Sequence, residues 1–152
     1  MRTLFVVSAA AVLLALPAHA QTPADSAAIR QAALDYIDGY YEGSGERMER
    51  ALHPELAKRI VRTNASGQSV IQQMSAMTLV LVTRAGSGRN IPSAQRRSDV
   101  RILDIYQNAA CVRIDAAQWV DYLHLAKWNG QWKIVNVLWE VPAAPAPAPA
   151  PR

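Results

Sequence analysis

Cysteine is almost absent from this sequence, whose 152 residues contain only Cys111. One cysteine forms no disulfide within the chain, so the fold must be held by a hydrophobic core rather than by covalent links. Cys111 lies in the strand-like run 110–114, and a small apolar thiol in such a run is typical of a protein interior. We therefore expect Cys111 to be buried and structural rather than a reactive nucleophile.

Histidine is also scarce, and a glycine-rich loop of the phosphate-binding type is missing. Of the three histidines, only His53 and His124 lie beyond residue 20, far apart and without a partner at metal-ligand spacing. The stretch from Gly86 to Gly88 precedes no helical pattern, which a phosphate-binding loop requires. The sequence therefore predicts neither a metal site nor a cofactor.

The chain has no apolar run of about 20 residues, the length that a membrane-spanning helix needs. Residues 1–20 have a basic start, a shorter apolar run, and small residues at Ala18 and Ala20. This pattern predicts a secretory signal cleaved after Ala20, a location in the bacterial periplasm, and no membrane attachment after cleavage. Residues 142–152 consist almost entirely of alanine and proline, so we expect a disordered tail after one domain at 21–141.

Acidic residues are fewer than basic ones, 12 against 16, and part of the basic excess is concentrated in one segment. Its arginines are Arg84, Arg89, Arg96, Arg97 and Arg101. They occupy a loop with glycine, serine and proline but no interleaved aromatic residues, which is not typical of nucleic-acid binding. We expect a solvated loop and no nucleic-acid partner. Contact with an anionic ligand or another protein is the alternative.

Helical patterns dominate the first part of the domain. Thr22 and Pro23 form a helix start, apolar residues then recur every three or four positions, and Gly43 ends the pattern. His53 before Pro54 must end a second helix, because the residue before proline is disfavoured in helical conformation. The predicted helices cover residues 23–42, 46–52, 54–61 and 69–83.

From Asp99 onward the apolar residues alternate, which is typical of β-strands. Asn129-Gly130 stands between two such runs and predicts a two-residue hairpin turn. The predicted strands cover residues 100–106, 110–117, 119–127 and 132–140. Helices followed by an antiparallel meander indicate the α+β class, with the helices on one face of a curved antiparallel sheet.

The hairpin turn also predicts which side chains share a face of the last two strands. On the face toward the helices, Asp121 aligns with Leu138 and Leu123 with Asn136. A carboxyl group in such apolar surroundings is suited to acid/base work or to hydrogen bonding with a ligand near neutral pH. The alternative is that Tyr36, Tyr40 or a backbone amide satisfies Asp121, which then has no further role.

The opposite face of the same hairpin is also apolar and aromatic. A broad patch of this kind is rarely left in water, so we expect a homodimer surface there. The residues predicted on this outer sheet face are Tyr122, His124, Val135, Val137 and Trp139.

Four short motifs resemble a known family. They are Tyr36-Ile37-Asp38-Gly39, His53-Pro54, Asp121-Tyr122-Leu123 and Trp132-Lys133-Ile134-Val135. Over residues 29–140 the chain resembles the putative lumazine-binding family of the nuclear transport factor 2-like superfamily. The resemblance implies a cone in which a strongly curved antiparallel sheet wraps around N-terminal helices, with a cavity at the open end and frequent dimerisation through the sheet. The superfamily includes ketosteroid isomerase and polyketide cyclases, as well as members that only bind or scaffold.

We therefore predict a secreted, non-enzymatic protein that binds a small organic molecule between helices and sheet. The predicted ligand-binding residues are Tyr36, Tyr40, His53, Trp119, Asp121 and Asn136. His53 is included because it lies at a helix junction, although capping a helix or lying on the surface is an alternative for it. One alternative function is an isomerase, dehydratase or cyclase with Asp121 as acid or base and Tyr36 polarising a carbonyl. Another is a dimerising assembly module without a ligand.

Overall fold

The computed structural model describes residues 22–142, so the predicted signal and all but the first residue of the predicted tail lie outside the described part. The helices are α1 (Pro23–Glu42), α2 (Gly45–Ala51) and α3 (Ala76–Arg84), with short 3-10 helices at Ser87–Asn90 and Ser93–Gln95. The strands are β1 (Leu52–Thr63), β2 (Ser69–Ser75), β3 (Asp99–Tyr106), β4 (Ala109–Asp115), β5 (Val120–Trp128) and β6 (Gln131–Glu140). Across residues 22–142, the helices are too short or too polar to cross a membrane.

One curved six-stranded sheet packs against the helices, in the order β2-β1-β6-β5-β4-β3. The predicted α+β class is confirmed. The expected antiparallel pairing holds for every neighbouring pair except β1 and β6, which are parallel. The sheet is therefore mixed, and its last strand lies in the middle.

Helix α1 has the ends that its sequence predicts. The Thr22 side chain accepts a hydrogen bond from the Asp25 backbone N–H, and Pro23 occupies the first turn. Gly43 ends the helix in the left-handed conformation, with φ of 68°. The buried stripe of the helix includes Ile29, Ala33 and Tyr36, so α1 lies across the concave side of the sheet as the core helix.

The predicted helix at 54–61 is wrong, because this segment forms strand β1. Its inward side chains are Leu56, Lys58 and Ile60, which alternate as a strand requires. Lys58 interrupts the apolar alternation, and the surrounding Glu, Ala, Lys and Arg residues favour helices as isolated residues. Pairing with β2 on one side and β6 on the other satisfies the backbone of β1 and overrides that preference.

The predicted helix at 69–83 is correct only in its second part. Residues Ser69–Ser75 form strand β2, which pairs with β1 at the edge of the sheet. Helix α3 begins after Ser75, whose hydroxyl accepts from the Thr78 backbone N–H. Leu79 and Val80 face the interior, whereas Met77 and Leu81 are exposed.

The predicted hairpin turn is confirmed, since Asn129 and Gly130 have φ of 49° and 77°. The predicted register holds from the turn to the pair Leu125 and Ile134, but the next pair is His124 with Asn136. Val135 is an extra residue in a β-bulge, and every residue of β6 beyond it is turned to the face opposite to the predicted one.

The bulge corrects the predicted faces. Val137 and Trp139 point toward the helices, whereas Asn136 and Leu138 lie on the outer sheet face. Tyr122 and His124 lie on the outer face as predicted, and Asp121 is fully buried on the inner side. Cys111 pairs with His124 and is half-buried, so the expectation of a fully buried thiol is wrong.

The arginine segment is exposed but tied to the rest of the fold. Arg89 Nε donates to the Glu42 carbonyl oxygen at the end of α1, at 2.8 Å, and Arg96 Nε donates to the Ile91 carbonyl oxygen at 2.9 Å. Gly88 lies so close to α1 that a Cβ there would collide with the Tyr40 backbone carbonyl. The segment is therefore held against the end of α1.

Candidate functional site

A fully buried carboxylate, Asp121 on β5, lies at the centre of the inner sheet face. Its Oδ1 accepts a hydrogen bond from Lys58 Nζ at 2.7 Å. Its Oδ2 accepts from Trp119 Nε1 at 2.7 Å and from Tyr36 Oη at 3.2 Å. Both carboxylate oxygens are therefore occupied by donors from three different parts of the chain.

Lys58 on β1 supplies the positive charge of this cluster. Its Nζ lies 2.5 Å from Tyr36 Oη, 4.9 Å from the centre of a Trp139 ring and 5.3 Å from the centre of the Tyr36 ring. The Lys58 side chain is only 7% exposed and that of Asp121 is 0% exposed. The Asp121 carboxylate, the Tyr36 phenol oxygen and the Trp139 ring thus replace the water that the ammonium has lost.

The protonation states of the cluster follow from burial. Burial lowers the pKa of the Lys58 ammonium, while the charge and hydrogen bond of Asp121 oppose this shift. Burial raises the pKa of the Tyr36 phenol well above its ordinary value, and the Asp121 charge adds to the effect. Tyr36 therefore keeps its proton, which it donates to Asp121 while it accepts from Lys58. We call these four residues, Tyr36, Lys58, Trp119 and Asp121, the buried tetrad.

A cavity of about 300 Å³ adjoins the buried tetrad, between α1, α3 and the sheet. Its walls are mostly apolar or aromatic. The lining residues are Tyr36, Ile37, Tyr40, Met48, Lys58, Met74, Leu79, Val82, Ser87, Trp119 and Trp139. Ser87 is exposed and Met74 and Val82 are half-buried, which places the mouth of the cavity near β2, α3 and the first 3-10 helix.

Three of the six residues predicted from the sequence line this cavity, and a fourth lies behind its wall. Tyr36, Tyr40 and Trp119 line it, and Tyr40 packs edge-on against Trp119 with ring centres 5.8 Å apart. Asp121 lies behind the wall that Tyr36 and Lys58 form, since it contacts both residues but does not line the cavity. The ligand-binding roles of these residues stay a prediction.

His53 and Asn136 do not reach the cavity. His53 lies near the start of β1, where its Nδ1 accepts from the Glu55 backbone N–H and its ring packs edge-on against Trp128. Asn136 lies on the outer sheet face, where its side-chain oxygen accepts from Arg59 at 3.1 Å. The β-bulge accounts for the displacement of Asn136. His53 is displaced because the chain continues from α2 into β1 and not into a third helix.

Sequence reasoning missed Lys58 and Trp139. Lys58 could have been found, because Leu56, Lys58 and Ile60 alternate and a lysine between two inward apolar residues is unusual. Trp139 had no such signal, since its inward orientation depends on the bulge at Val135.

Comparison with known proteins supports the fold assignment. The family described as "Putative lumazine-binding" matches residues 24–140. Similar solved structures include a nuclear transport factor 2-like protein of unknown function from Shewanella baltica, with 18% identity, a TM-score of 0.61, and coverage of 82% of this chain and 99% of that one. A second, from Methylobacillus flagellatus, has 22% identity, a TM-score of 0.60, and coverage of 82% and 97%.

A third similar structure, a nuclear transport factor 2-like protein with a cystatin-like fold from Novosphingobium aromaticivorans, has 9% identity, a TM-score of 0.57, and coverage of 81% and 85%. At these identities the structural neighbours establish the fold and not an activity. Comparison with functionally curated proteins gives no significant match. The family match spans both helices and sheet of the described domain, and the chain therefore belongs to the "Putative lumazine-binding" family, with a nuclear transport factor 2-like fold.

Proposed function

We propose that this protein binds a small, neutral, planar organic molecule that carries a hydrogen-bond acceptor such as a carbonyl oxygen. The observation that carries the proposal is an apolar, aromatic cavity whose wall includes Lys58, the cationic partner of a buried ion pair. A few placed polar groups in an otherwise apolar cavity are typical of small-molecule sites, and about 300 Å³ lies at the lower end of their usual size.

The charge balance of the wall supports a neutral ligand. Asp121 already compensates the Lys58 charge, so an anionic ligand would bring an additional uncompensated charge into the cavity. Lys58 lines the cavity, and because two of its three ammonium protons go to Asp121 and Tyr36, the third can be donated to a guest. The Trp119 and Trp139 rings offer apolar faces on which a flat ring can pack.

The description of the family agrees with this chemistry. Lumazine is a flat, bicyclic pteridinedione with carbonyl oxygens, and it is the probe that we choose first. A lumazine-type ring would place its faces against the tryptophans and direct a carbonyl oxygen toward the Lys58 ammonium.

Calorimetric titration with lumazine tests the proposal. Val82→Trp places a large ring at the cavity mouth, and we expect it to weaken binding by about tenfold or more. The matched control is Leu81→Trp, one position along the same helix but 55% exposed. Equal affinity of both variants would contradict cavity binding. Absence of lumazine binding, together with no retained molecule in native mass spectrometry of the purified protein, would reject the proposal.

The enzymatic alternative has less support. A general acid or base must reach the proton that it transfers. Asp121 is fully buried, does not line the cavity, and has donors on both oxygens. These contacts favour a structural and charge-balancing role for Asp121 over direct contact with a substrate.

Secretion and homodimerisation complete the proposal. Residues 1–20 support export to the periplasm, which fractionation of cells and the mass of the purified protein test.

Tyr122 and Leu138 pair across the outer sheet face and are 42% and 50% exposed, which supports dimerisation there. In light scattering we expect a dimer that Leu138→Lys converts to a monomer. A monomeric wild-type protein would contradict dimerisation.

A further inference from the structure

Lysine is rare in this chain, and each of its three lysines, Lys58, Lys127 and Lys133, has a different environment. Lys127 Nζ pairs with Asp25 at 2.8 Å on the surface. Lys133 Nζ donates to the Arg50 carbonyl oxygen, also in an exposed position. Lys58 alone among the three lines the cavity. A buried amine facing an apolar cavity is the arrangement in which lysine acts as a nucleophile toward carbonyl compounds.

We propose that Lys58 captures small aldehydes and ketones covalently, by forming an imine with a carbonyl compound that enters the cavity. The proposal rests on the binding function proposed above, since it assigns carbonyl compounds as the ligand class of the same cavity. Three observations support it: the position of Lys58 in the cavity wall, the carboxylate 2.7 Å from its Nζ, and the phenol 2.5 Å from it.

The neighbours of Lys58 offer a route for its proton. Asp121 contacts Lys58 without lining the cavity, so the carboxylate lies on the side of the amine away from the ligand. Tyr36 lines the cavity and also donates to Asp121. A proton can therefore pass from Nζ to Asp121 directly, and between Asp121 and a ligand oxygen through the Tyr36 hydroxyl. Burial lowers the pKa of the Lys58 ammonium, which assists release of this proton.

The reaction is balanced without a further reagent. The Lys58 ammonium gives one proton to Asp121, and the free amine forms a bond to the carbonyl carbon while the carbonyl π electrons move to oxygen. A second proton moves from nitrogen to that oxygen, which gives a neutral carbinolamine. Asp121 then returns the first proton through Tyr36, and the hydroxyl leaves as water. The protonated imine remains beside the Asp121 carboxylate, so that one ammonium and one carbonyl compound yield one iminium and one water.

Reductive trapping tests this inference. The full-length protein as purified is incubated with benzaldehyde and sodium cyanoborohydride, which converts an imine into a stable benzylamine, and peptide mapping measures labelling at each lysine. We expect Lys58 to be labelled about tenfold faster than Lys127 and Lys133, because the cavity holds the aldehyde beside the amine. Labelling of Lys58 no faster than that of the two surface lysines would overturn the inference.

Two variants with intact Lys58 connect the labelling to the cavity. Val82→Trp narrows the mouth and should slow labelling of Lys58 while leaving Lys127 and Lys133 unchanged, whereas the control Leu81→Trp should change none of the three. An unchanged rate at Lys58 in Val82→Trp would overturn the inference, since the reaction would not pass through the cavity.

The two proposals fail in different ways. Lumazine binding by calorimetry without preferential labelling of Lys58 rejects imine formation and leaves the binding function in place. Preferential labelling of Lys58 without lumazine binding supports carbonyl capture and rejects the lumazine-type ligand.

Discussion

Two lysine–aspartate pairs in this protein have nearly the same geometry and very different surroundings. Lys58 and Asp121 are 2.7 Å apart with side chains 7% and 0% exposed, whereas Lys127 and Asp25 are 2.8 Å apart with side chains 36% and 21% exposed. In the second pair, water screens the charges and solvates either partner if the other is lost. In the first pair, water does not reach the charges, so each charge is stabilised by its partner. Burial, and not distance, therefore decides what each pair contributes.

The largest expected effect is that of Asp121→Ala. This change leaves the Lys58 ammonium buried without its carboxylate, and we expect the free energy of unfolding to fall by about 3–5 kcal/mol. Urea unfolding followed by tryptophan fluorescence measures it. The matched change at the exposed pair is Asp25→Ala, which should cost clearly less. Equal losses in the two variants would refute the distinction between the pairs.

Replacing both buried partners should have a smaller effect than replacing one. Lys58→Met with Asp121→Leu removes both charges together, so the double variant should regain most of the stability that Asp121→Ala loses. The same urea titration measures this recovery. Labelling by benzaldehyde should then disappear from residue 58, since the amine is gone. If the double variant is as unstable as Asp121→Ala, the loss does not come from an uncompensated charge.

The smallest expected effect is the acid response of the exposed pair. Hydrogen bonds from Lys127, Trp132 and Thr22 lower the pKa of Asp25 from 3.8 to about 2. A carboxyl group with a lowered pKa in the folded state stabilises the fold above pH 3.8, and this contribution is lost as the pH falls toward 2. Lys127→Met removes the largest cause of the shift, so stability should decline less between about pH 4 and pH 2.

Thermal unfolding of wild type and Lys127→Met across this pH window gives the comparison. Asp115, whose pKa is also lowered to about 2 by Arg113 and Arg101, remains in both proteins and serves as a constant background. A parallel acid decline in the two proteins would show that the Asp25 pair does not contribute to it.

The terminal parts of the domain could be predicted from the sequence because local signals agree with the fold there. Thr22, Pro23 and Gly43 mark the ends of α1, and Asn129-Gly130 marks the hairpin. Asp121 could be placed on the inner face because the extra residue of the bulge is on β6, while β5 alternates regularly. Tyr36 followed from the helical stripe that faces the sheet.

The central segment was predicted wrongly because the site itself disturbs the strand pattern. Lys58 lies where an apolar residue would complete the alternation of Leu56 and Ile60, and the segment resembles a helix without it. The bulge at Val135 has no marker residue such as glycine, so Asn136 and Trp139 were assigned to the wrong faces. A polar residue in a strand core and an irregular ladder are typical of functional sites, where local rules are broken.

The central position of β6 affects how the chain must acquire this structure. The hairpin of β1 with β2 and the meander of β3, β4 and β5 are each continuous in sequence, but only the final strand joins them. A chain that leaves the ribosome N-terminus first cannot close the sheet until Gln131–Glu140 has emerged. Because β6 lies between β1 and β5, the native contact of Lys58 with Asp121 spans a strand that is made last.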